Sequence, residues 1–176
     1  MNSFGENGSL GKAGDVAITT PSLQLTGGAR INTTTATSGA GGTVTINTSN
    51  SLSMSGENSG FEIEPLFNLG TIQSSGIYTH TIGGSCIGPC GNAGNVSITT
   101  GSLSMGSGAQ INSGTSSSGL GGDISITASN TIAMSGTLST GQPGGIQSRT
   151  TGAEPDAGSG GNISLTAGQS VTILDG

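Results

Sequence analysis

The fold is decided by a short stretch, Gly94-Asn95-Val96-Ser97-Ile98-Thr99-Thr100, in which aliphatic and hydroxyl side chains alternate after a glycine and an amide. Alternation with a period of two predicts a half-buried β-strand whose aliphatic residues share one face. The stretch recurs along the chain, which makes this a repeat protein. The other copies lie at 14–20, 42–48, 122–128 and 161–167.

Two more short alternating segments follow each copy. In the first repeat they are Leu23-Gln24-Leu25, after a turn at Pro21-Ser22, and Ala29-Arg30-Ile31-Asn32-Thr33, after a turn at Gly27-Gly28. One such repeat is too small to bury its own apolar side, so the repeats must stack. Parallel stacking at about 4.8 Å predicts an all-β fold, a parallel β-helix (β-solenoid) of about five coils with three short strands per coil. The aliphatic columns predicted for it are Val16/Val44/Val96/Ile124/Ile163, Ile18/Ile46/Ile98/Ile126/Leu165, Leu23/Leu52/Leu103/Ile132/Val171, Leu25/Met54/Met105/Met134/Ile173 and Ile31/Ile72/Ile111/Ile146.

The residue after each corner glycine has two interpretations. Asp15, Asn95, Asp123 and Asn162 occupy equivalent positions, which could form a column of metal ligands or a set of turn residues bonded to local backbone. Because Thr43 stands in the same column, we favour turn residues.

The repeats differ in length. The corner glycines at 14, 42, 94, 122 and 161 are unevenly spaced, so a short coil alternates with a long one that carries insertions. Insertions in a solenoid emerge as surface loops, where recognition is expected. We place them at 57–69, 76–90, 137–144 and 150–159.

The first insertion is unusually apolar for this chain. It either folds against the flank of the rod, over Met54, or presents an exposed patch to a partner; we favour the folded loop. Nearby, we interpret His80 as a solvated loop residue. The candidate partner-binding residues are Phe61, Glu62, Ile63, Glu64 and Phe67.

The two cysteines, Cys86 and Cys90, are separated by three residues that include Gly88 and Pro89. They are either free thiols or, in an oxidising compartment, a local disulfide. Zinc would need two further ligands, and His80 is the single histidine.

The amino-acid composition and the net charge argue against several classes of function. The net charge is −6 with only three cations, so nucleic acid is an unlikely partner, and no apolar run is long enough to span a membrane. The nine acids are scattered and a catalytic triad would need a histidine with partners. We therefore expect no enzyme activity and no cofactor.

The outward positions of the first strand form two hydroxyl-rich columns. They are either the solvated side of a strand or a flat array for ice or polysaccharide, since a Thr-x-Thr face resembles that of ice-binding β-solenoids. Asn47 interrupts the more regular column. The candidate ligand-facing residues are Thr45, Asn47, Ser97, Thr99, Ser125, Thr127, Ser164 and Thr166.

Residues 91–113 (GNAGNVSITTGSLSMGSGAQINS) resemble the repeats of large filamentous-haemagglutinin-like exoproteins, with those of cyanobacteria most similar. The third strand after an insertion, Ile72-Gln73-Ser74-Ser75 and Ile146-Gln147-Ser148, strengthens the resemblance, which covers about residues 11–174. It implies a right-handed β-helix exported by two-partner secretion through an outer-membrane transporter. It also implies a secreted or surface adhesin whose partner is a glycan or protein on a host or neighbouring cell.

The predicted organisation is simple. Residues 1–13 form an N-terminal loop and residues 11–176 a single β-helix domain. The first residues lack the basic region and apolar core of a signal peptide, and neither end shows a cap. We accordingly expect a slice of a longer rod.

Overall fold

The described part of the chain consists of β-strands, turns and irregular segments, without a helix. The computed structural model describes residues 11–36, 38–58, 73–82, 91–116, 118–151 and 158–174. An all-β fold is therefore confirmed. The strands are β1 Val16–Thr26, β2 Arg30–Asn32, β3 Val44–Ser55, β4 Glu57–Asn58, β5 Gln73–Ser74, β6 Gly76–Tyr78, β7 Val96–Thr100, β8 Ser102–Gly106, β9 Gln110–Thr115, β10 Ile124–Ala128, β11 Thr131–Ser135, β12 Gly145–Thr150, β13 Ile163–Ala167 and β14 Ser170–Leu174.

Twelve of these strands form two parallel sheets. The eight-stranded sheet has the order β13-β10-β7-β3-β8-β11-β14, with β1 also paired to β3, and the four-stranded sheet has the order β12-β9-β6-β2. The long strand β3 pairs with β7 along its first half and with β8 along its second half. Only β4 and β5 pair antiparallel among the named strands.

The register joins each repeat to the equivalent residues of the next repeat. Val44 pairs with Val16 and with Val96, and Ile124 continues the same column. The second column runs in the same way through Ile46. Each aliphatic side chain therefore meets a side chain of similar shape in the neighbouring repeat, as the aligned copies predict.

Both sheets contribute to one hydrophobic core. Val44, Ile46 and Leu52 of the larger sheet and Ile77 and Ile111 of the smaller sheet all have no exposed surface. Burying one such side chain stabilises a fold by about 1.5–3 kcal/mol, so the stacked columns supply the main stabilising term. The core lies between the two sheets, and on the other face of the larger sheet side chains such as Thr99 and Thr127 are exposed.

The prediction that Ile72 lies in the third strand of the second repeat is wrong. Ile77, not Ile72, pairs with Ile31 and Ile111, and β6 lies within the segment predicted as the insertion 76–90. Ile72 lies outside the described residues, and the adjacent β5 pairs antiparallel with β4. Gly76 fits closely at the start of β6, where a β-carbon would lie 2.1 Å from the backbone oxygen of Gln110.

The predicted break at Pro21 is also wrong. β1 and β3 each run through the position where a turn was expected, so the first two repeats have one long strand in place of two short ones. The register shifts between Thr20 and Ser22, which places Pro21 at an irregularity of the ladder. Proline is tolerated at such points because no ladder hydrogen bond needs its missing N–H. The later repeats divide as predicted, for example between β7 and β8.

A column of buried hydroxyl groups connects the smaller sheet to the corner glycines through hydrogen bonds. The Thr33 hydroxyl donates to the Gly42 carbonyl at 2.6 Å, and the Thr79 hydroxyl donates to the Gly94 carbonyl at 2.6 Å. Ser113 also donates to Gly94, at 2.8 Å. Thr33, Thr79 and Ser113 have no exposed surface, so these bonds satisfy polar groups that would otherwise be costly to bury.

The corner carboxylates and amides bond the next repeat, not their own turn. Asp15 accepts the backbone N–H of Thr43 at 2.7 Å, and Asn95 accepts that of Asp123 at 2.9 Å. Asp123 in turn accepts the N–H of Asn162 at 2.7 Å. These residues therefore have a structural role, as predicted. They bond the backbone of the next repeat, however, and not the backbone of their own turn.

Gly94→Ala should destabilise the fold, because the added β-carbon would lie 1.9 Å from the backbone oxygen of Gly42. We expect a loss of roughly 1–3 kcal/mol in the free energy of unfolding, the usual cost of overpacking. Urea denaturation followed by circular dichroism measures it. Gly106→Ala is the matched control, since its nearest atom would be the Ser55 β-carbon at 3.9 Å. Equal stability of the two variants would contradict the prediction.

Candidate functional site

The hydroxyl columns lie in register on the outer face of the eight-stranded sheet. Thr99 pairs with Asn47 and with Thr127, and Ser125 pairs with Ser97 and with Ser164. Neighbouring members of a column are about 4.8 Å apart and the two columns about 6.7 Å apart, from strand geometry. All eight candidate side chains are exposed or half-buried. Together they form a flat, uncharged, hydroxyl-rich surface.

A shallow groove of about 510 Å³ borders this surface. It lies where β1 and β3 pass the Pro21 irregularity, and Thr19, Asn47 and Thr99 of the regular column reach it. A flat extended ligand on the columns would therefore continue into a depression at this end. The lining is Thr19, Thr20, Pro21, Asn47, Thr48, Ser49 and Thr99.

Insertions of the second and fourth repeats meet at one corner. The backbone N–H of Ser139 donates to a Glu57 carboxylate oxygen at 3.0 Å, although the residues are 82 positions apart. These hydrogen bonds from Ser139 hold the pKa of the Glu57 carboxyl below its usual value. Leu138 is buried over Gly108, so the 137–144 insertion packs on the body of the fold. Of the predicted recognition loops, it is the one described throughout.

The other sequence-predicted candidates fall outside the described residues. This applies to the apolar loop and to the cysteine pair. The residues concerned are Phe61, Glu62, Ile63, Glu64, Phe67, Cys86 and Cys90.

A second site, which sequence reasoning missed, lies on the outer face of the four-stranded sheet. We call Arg30, Tyr78, His80, Asn112 and Arg149 the arginine face. They include both arginines, the single tyrosine and the single histidine of the chain. β2, β6, β9 and β12 lie side by side in this sheet, which brings residues from four repeats together. The face carries two of the three cations in a chain of net charge −6.

Tyr78 forms the centre of the arginine face. The Arg30 guanidinium carbon lies 4.7 Å from the centroid of the Tyr78 ring, and the His80 ring meets Tyr78 edge-on at 5.9 Å. Arg30 Nε donates to the Ser74 carbonyl at 3.1 Å, which fixes the guanidinium above the ring. Burial raises the pKa of the Tyr78 hydroxyl, against the opposing effects of Ser74 and Arg30. Cation–π contact and edge-on packing thus order this part of the face.

His80 is not the solvated loop residue expected from the sequence. It lies two residues after the end of β6 and is partly buried beside Tyr78. Burial lowers the pKa of its imidazole, and the positive charges of Arg149 and Arg30 lower it further, while Asn112 opposes the shift. The imidazole is therefore neutral at pH 7.

Asn112 lies beside His80 and is itself buried, with 5% of its surface exposed. Its side chain forms a poorly aligned hydrogen bond with the imidazole, and this bond is the effect that opposes the lowering of the His80 pKa. Gly114 lies beside it, paired with Arg149 on β12 and level with His80 on the other side. A β-carbon at Gly114 would lie 2.9 Å from the backbone oxygen of Arg149 and 3.4 Å from Asn112 Oδ1, so this buried position is closely packed.

Sequence reasoning missed the arginine face because it assigned residues 76–90 to an insertion. The register that brings His80 level with Gly114 is set by Thr81, which pairs with Thr35 and Thr115. One feature of the sequence could have indicated this strand. Ile77-Tyr78-Thr79 has the same aliphatic–polar–hydroxyl order as Ile31-Asn32-Thr33.

Comparison with known proteins adds no identification: no family model, curated protein or solved structure matches this chain. Within the described ranges, no helix is long and apolar enough to cross a membrane. No three His, Cys, Asp or Glu side chains of the described residues lie together as a metal-binding group.

Acidification should destabilise the protein through His80. The unfolded imidazole titrates near pH 6.5, whereas the folded pKa is lower, so below about pH 6.5 the unfolded state binds the extra proton. The contribution of the neutral His80 to the free energy of unfolding is therefore fully present above that pH. It is lost as the pH falls towards the pKa of the folded state. We expect the melting temperature to drop between pH 7.5 and 5.0.

His80→Gln serves as the comparison, because it removes this titration while leaving every carboxylate in place. Its melting temperature should change less over the same pH interval, as measured by differential scanning calorimetry. Parallel pH profiles for the two proteins would exclude the predicted role of His80.

Proposed function

We propose that the chain is a right-handed parallel β-helix in which each repeat makes one coil. Three features support this proposal. Equivalent residues of successive repeats pair in parallel, two sheets enclose one core, and the corner glycines of neighbouring repeats pack closely, as at Gly94 against Gly42. The right hand follows from the general preference of parallel crossover connections.

On this basis, the chain acts as a non-catalytic structural and adhesive segment of a secreted or surface-exposed, filamentous-haemagglutinin-like protein. The observation that carries the proposal is the pairing of like residues from repeat to repeat. A stack of this kind grows in one direction, each coil contacting only its neighbours, and so builds a rod rather than a cleft. Rods of this type hold binding surfaces away from the cell.

The carboxylates described in the structure support a non-catalytic role. Asp15, Glu57 and Asp123 each accept a backbone N–H from another repeat. Asp15 and Asp123 stand in one corner column with the positions of Thr43 and Asn95 between them, and Glu57 lies in β4. All three serve structural bonds, whereas acid–base catalysis on a glycan needs two carboxyl groups facing one bond. The partner we propose is a glycan or protein on a host or neighbouring cell, and export would use an outer-membrane two-partner transporter.

An adhesion experiment tests this function. The purified protein should bind a subset of glycans on an array without releasing reducing ends from them. Thr99→Tyr/Thr127→Tyr, which disrupts the hydroxyl columns, should keep this binding if other surfaces are responsible. If the protein binds neither the glycan array nor whole cells, the adhesive role is excluded and the chain serves only as a spacer. Release of reducing ends would overturn the non-catalytic assignment.

A second candidate function is ice or polysaccharide binding through the hydroxyl columns. The observation that favours it is the aligned pairing of Thr99 with Thr127 and of Thr127 with Thr166 on an exposed surface. Such an array repeats at the strand spacing and carries no charge. It offers a regular lattice of hydroxyl and methyl groups to water or to a flat glycan.

Ice recrystallisation separates the two candidates. If the columns bind ice, wild-type protein should inhibit crystal growth at micromolar concentration and Thr99→Tyr/Thr127→Tyr should not. Ser104→Tyr is the control, because this residue is exposed on β8, away from the columns. Absence of inhibition by the wild type would remove ice binding.

A further inference from the structure

We propose that the end of the fold at β12 binds an extended peptide segment, which pairs parallel to β12 and adds one strand to the smaller sheet. The segment carries an aliphatic, a polar, a hydroxyl and an acidic residue in succession. This inference rests on the repeat-to-repeat stacking behind the proposed function. It goes beyond that function, because it names a partner for one end of the stack.

The larger sheet reaches one repeat further than the smaller sheet at this end. β13 and β14 belong to the fifth repeat and pair with β10 and β11 of the fourth. The last strand of the smaller sheet, β12, belongs to the fourth repeat and pairs with β9 alone among the described strands. No described strand stands on β12 level with β13 and β14, which leaves a slot one strand wide.

Backbone hydrogen-bonding groups form the floor of the slot. In the earlier repeats the Thr33 N–H donates to the Tyr78 carbonyl at 2.9 Å, and the Thr79 N–H donates to the Asn112 carbonyl at 3.0 Å. Ser148 has the equivalent position in β12, facing the slot. A strand edge of this kind is a template for pairing with another chain, and main-chain hydrogen bonds then supply affinity.

An apolar hollow of about 330 Å³ lies beside the slot. Ile146 lines it on the side of β12, and Leu165 and Ile173 line it on the side of the fifth repeat. Ile77 and Ile111, which precede Ile146 in its column, have no exposed surface, whereas Ile146 is half-buried. An aliphatic side chain placed on Ile146 would continue the column and fill part of the hollow.

The apolar side chains of the fifth repeat are exposed at the same end. Ile173 is 68% exposed and Leu174 is 58% exposed, whereas Met134, which precedes Ile173 in its column, is 7% exposed. Ile173 and Leu174 both line the hollow. A strand in the slot would cover part of this apolar surface, which favours its binding.

The residue types of the segment follow from the columns that it would extend. Every strand of the smaller sheet has an isoleucine, a polar residue and a hydroxyl residue in succession, and the hydroxyl of Ser148 donates inward to the Gly122 carbonyl at 2.8 Å. A segment that extends the sheet should repeat this order. The four examples are Ile31-Asn32-Thr33, Ile77-Tyr78-Thr79, Ile111-Asn112-Ser113 and Ile146-Gln147-Ser148.

Arg149 adds selection by charge. Its side chain is exposed on β12, directly after Ser148. The ion pair found between described residues joins Lys12 to Asp15, at the opposite end of the stack. An acidic residue of the segment opposite Arg149, about 4.8 Å away, would form a cross-strand pair of opposite charge. The acidic residue therefore stands three positions after the aliphatic one, as Arg149 stands three positions after Ile146.

The probe is a synthetic peptide of residues 108–115 that carries Gly114→Glu and has both ends blocked. In the register of β9 with β12, its isoleucine stands on Ile146 and its glutamate on Arg149. Binding to the full chain is followed by ¹H–¹⁵N correlation spectra, in which the amide signals of residues 145–150 and 173–174 should shift. The same peptide with Ile111→Ser is the matched control. It should bind about tenfold more weakly, because it lacks the aliphatic side chain that enters the hollow.

A charge reversal tests the register of the bound segment. Arg149→Glu should weaken binding of the glutamate peptide by roughly fivefold, because like charges then lie opposite each other. A peptide with Gly114→Lys should recover the affinity for this variant. Lys12→Glu makes the same change of charge at the corner where Lys12 pairs with Asp15, and should leave binding unchanged. The spectra themselves report whether each variant is folded.

Each contrary outcome identifies what has failed. Equal binding of the isoleucine and serine peptides would overturn the site, and so would an equal loss in Lys12→Glu and Arg149→Glu. If the protein associates with itself through this end and does not bind the peptide, the surface is an interface between copies and the proposal is wrong. The glycan array reports the adhesive function separately, so a positive array without peptide binding would overturn this proposal alone.

Discussion

The structure depends on parallel pairing between each repeat and the same residues of the next. Backbone hydrogen bonds hold one repeat on another, and every inward aliphatic side chain rests on a counterpart such as Ile98 on Ile46. Neither the backbone hydrogen bonds nor the side-chain packing is sufficient alone. A single repeat exposes its apolar side, and hydrogen bonds without a core do not offset the conformational entropy that the chain loses on folding. A side chain that breaks the column therefore disturbs two interfaces together.

Glycine is required where two backbones approach closely at the corners. The Gly42 carbonyl packs against the α-carbon of Gly94, and the hydroxyls of Thr79 and Ser113 both donate to the Gly94 carbonyl from inside. The interior is consequently mixed, with aliphatic columns in the middle and hydroxyl columns beside the corners. Such an arrangement explains how a chain with 2% aromatic residues and 30% hydrophobic residues still closes a core.

The outer surfaces divide according to sheet. The larger sheet presents uncharged hydroxyls in columns such as Thr99 and Thr127, which suit broad contact with a regular surface. The smaller sheet brings together Arg30, Arg149 and the aromatic pair of Tyr78 and His80.

The sequence alone determined the repeat, the inward columns and the all-β class, because alternation and stacking register are local and periodic. It failed at Ile72, at Pro21 and at the arginine face. The second repeat offers two isoleucines for one column, and the structure pairs Ile77 with Ile31 and Ile111. That choice then brings Tyr78 and His80 beside Arg30 and Asn112. Contacts between residues dozens of positions apart carry no periodic signal, so only the tertiary structure decided them.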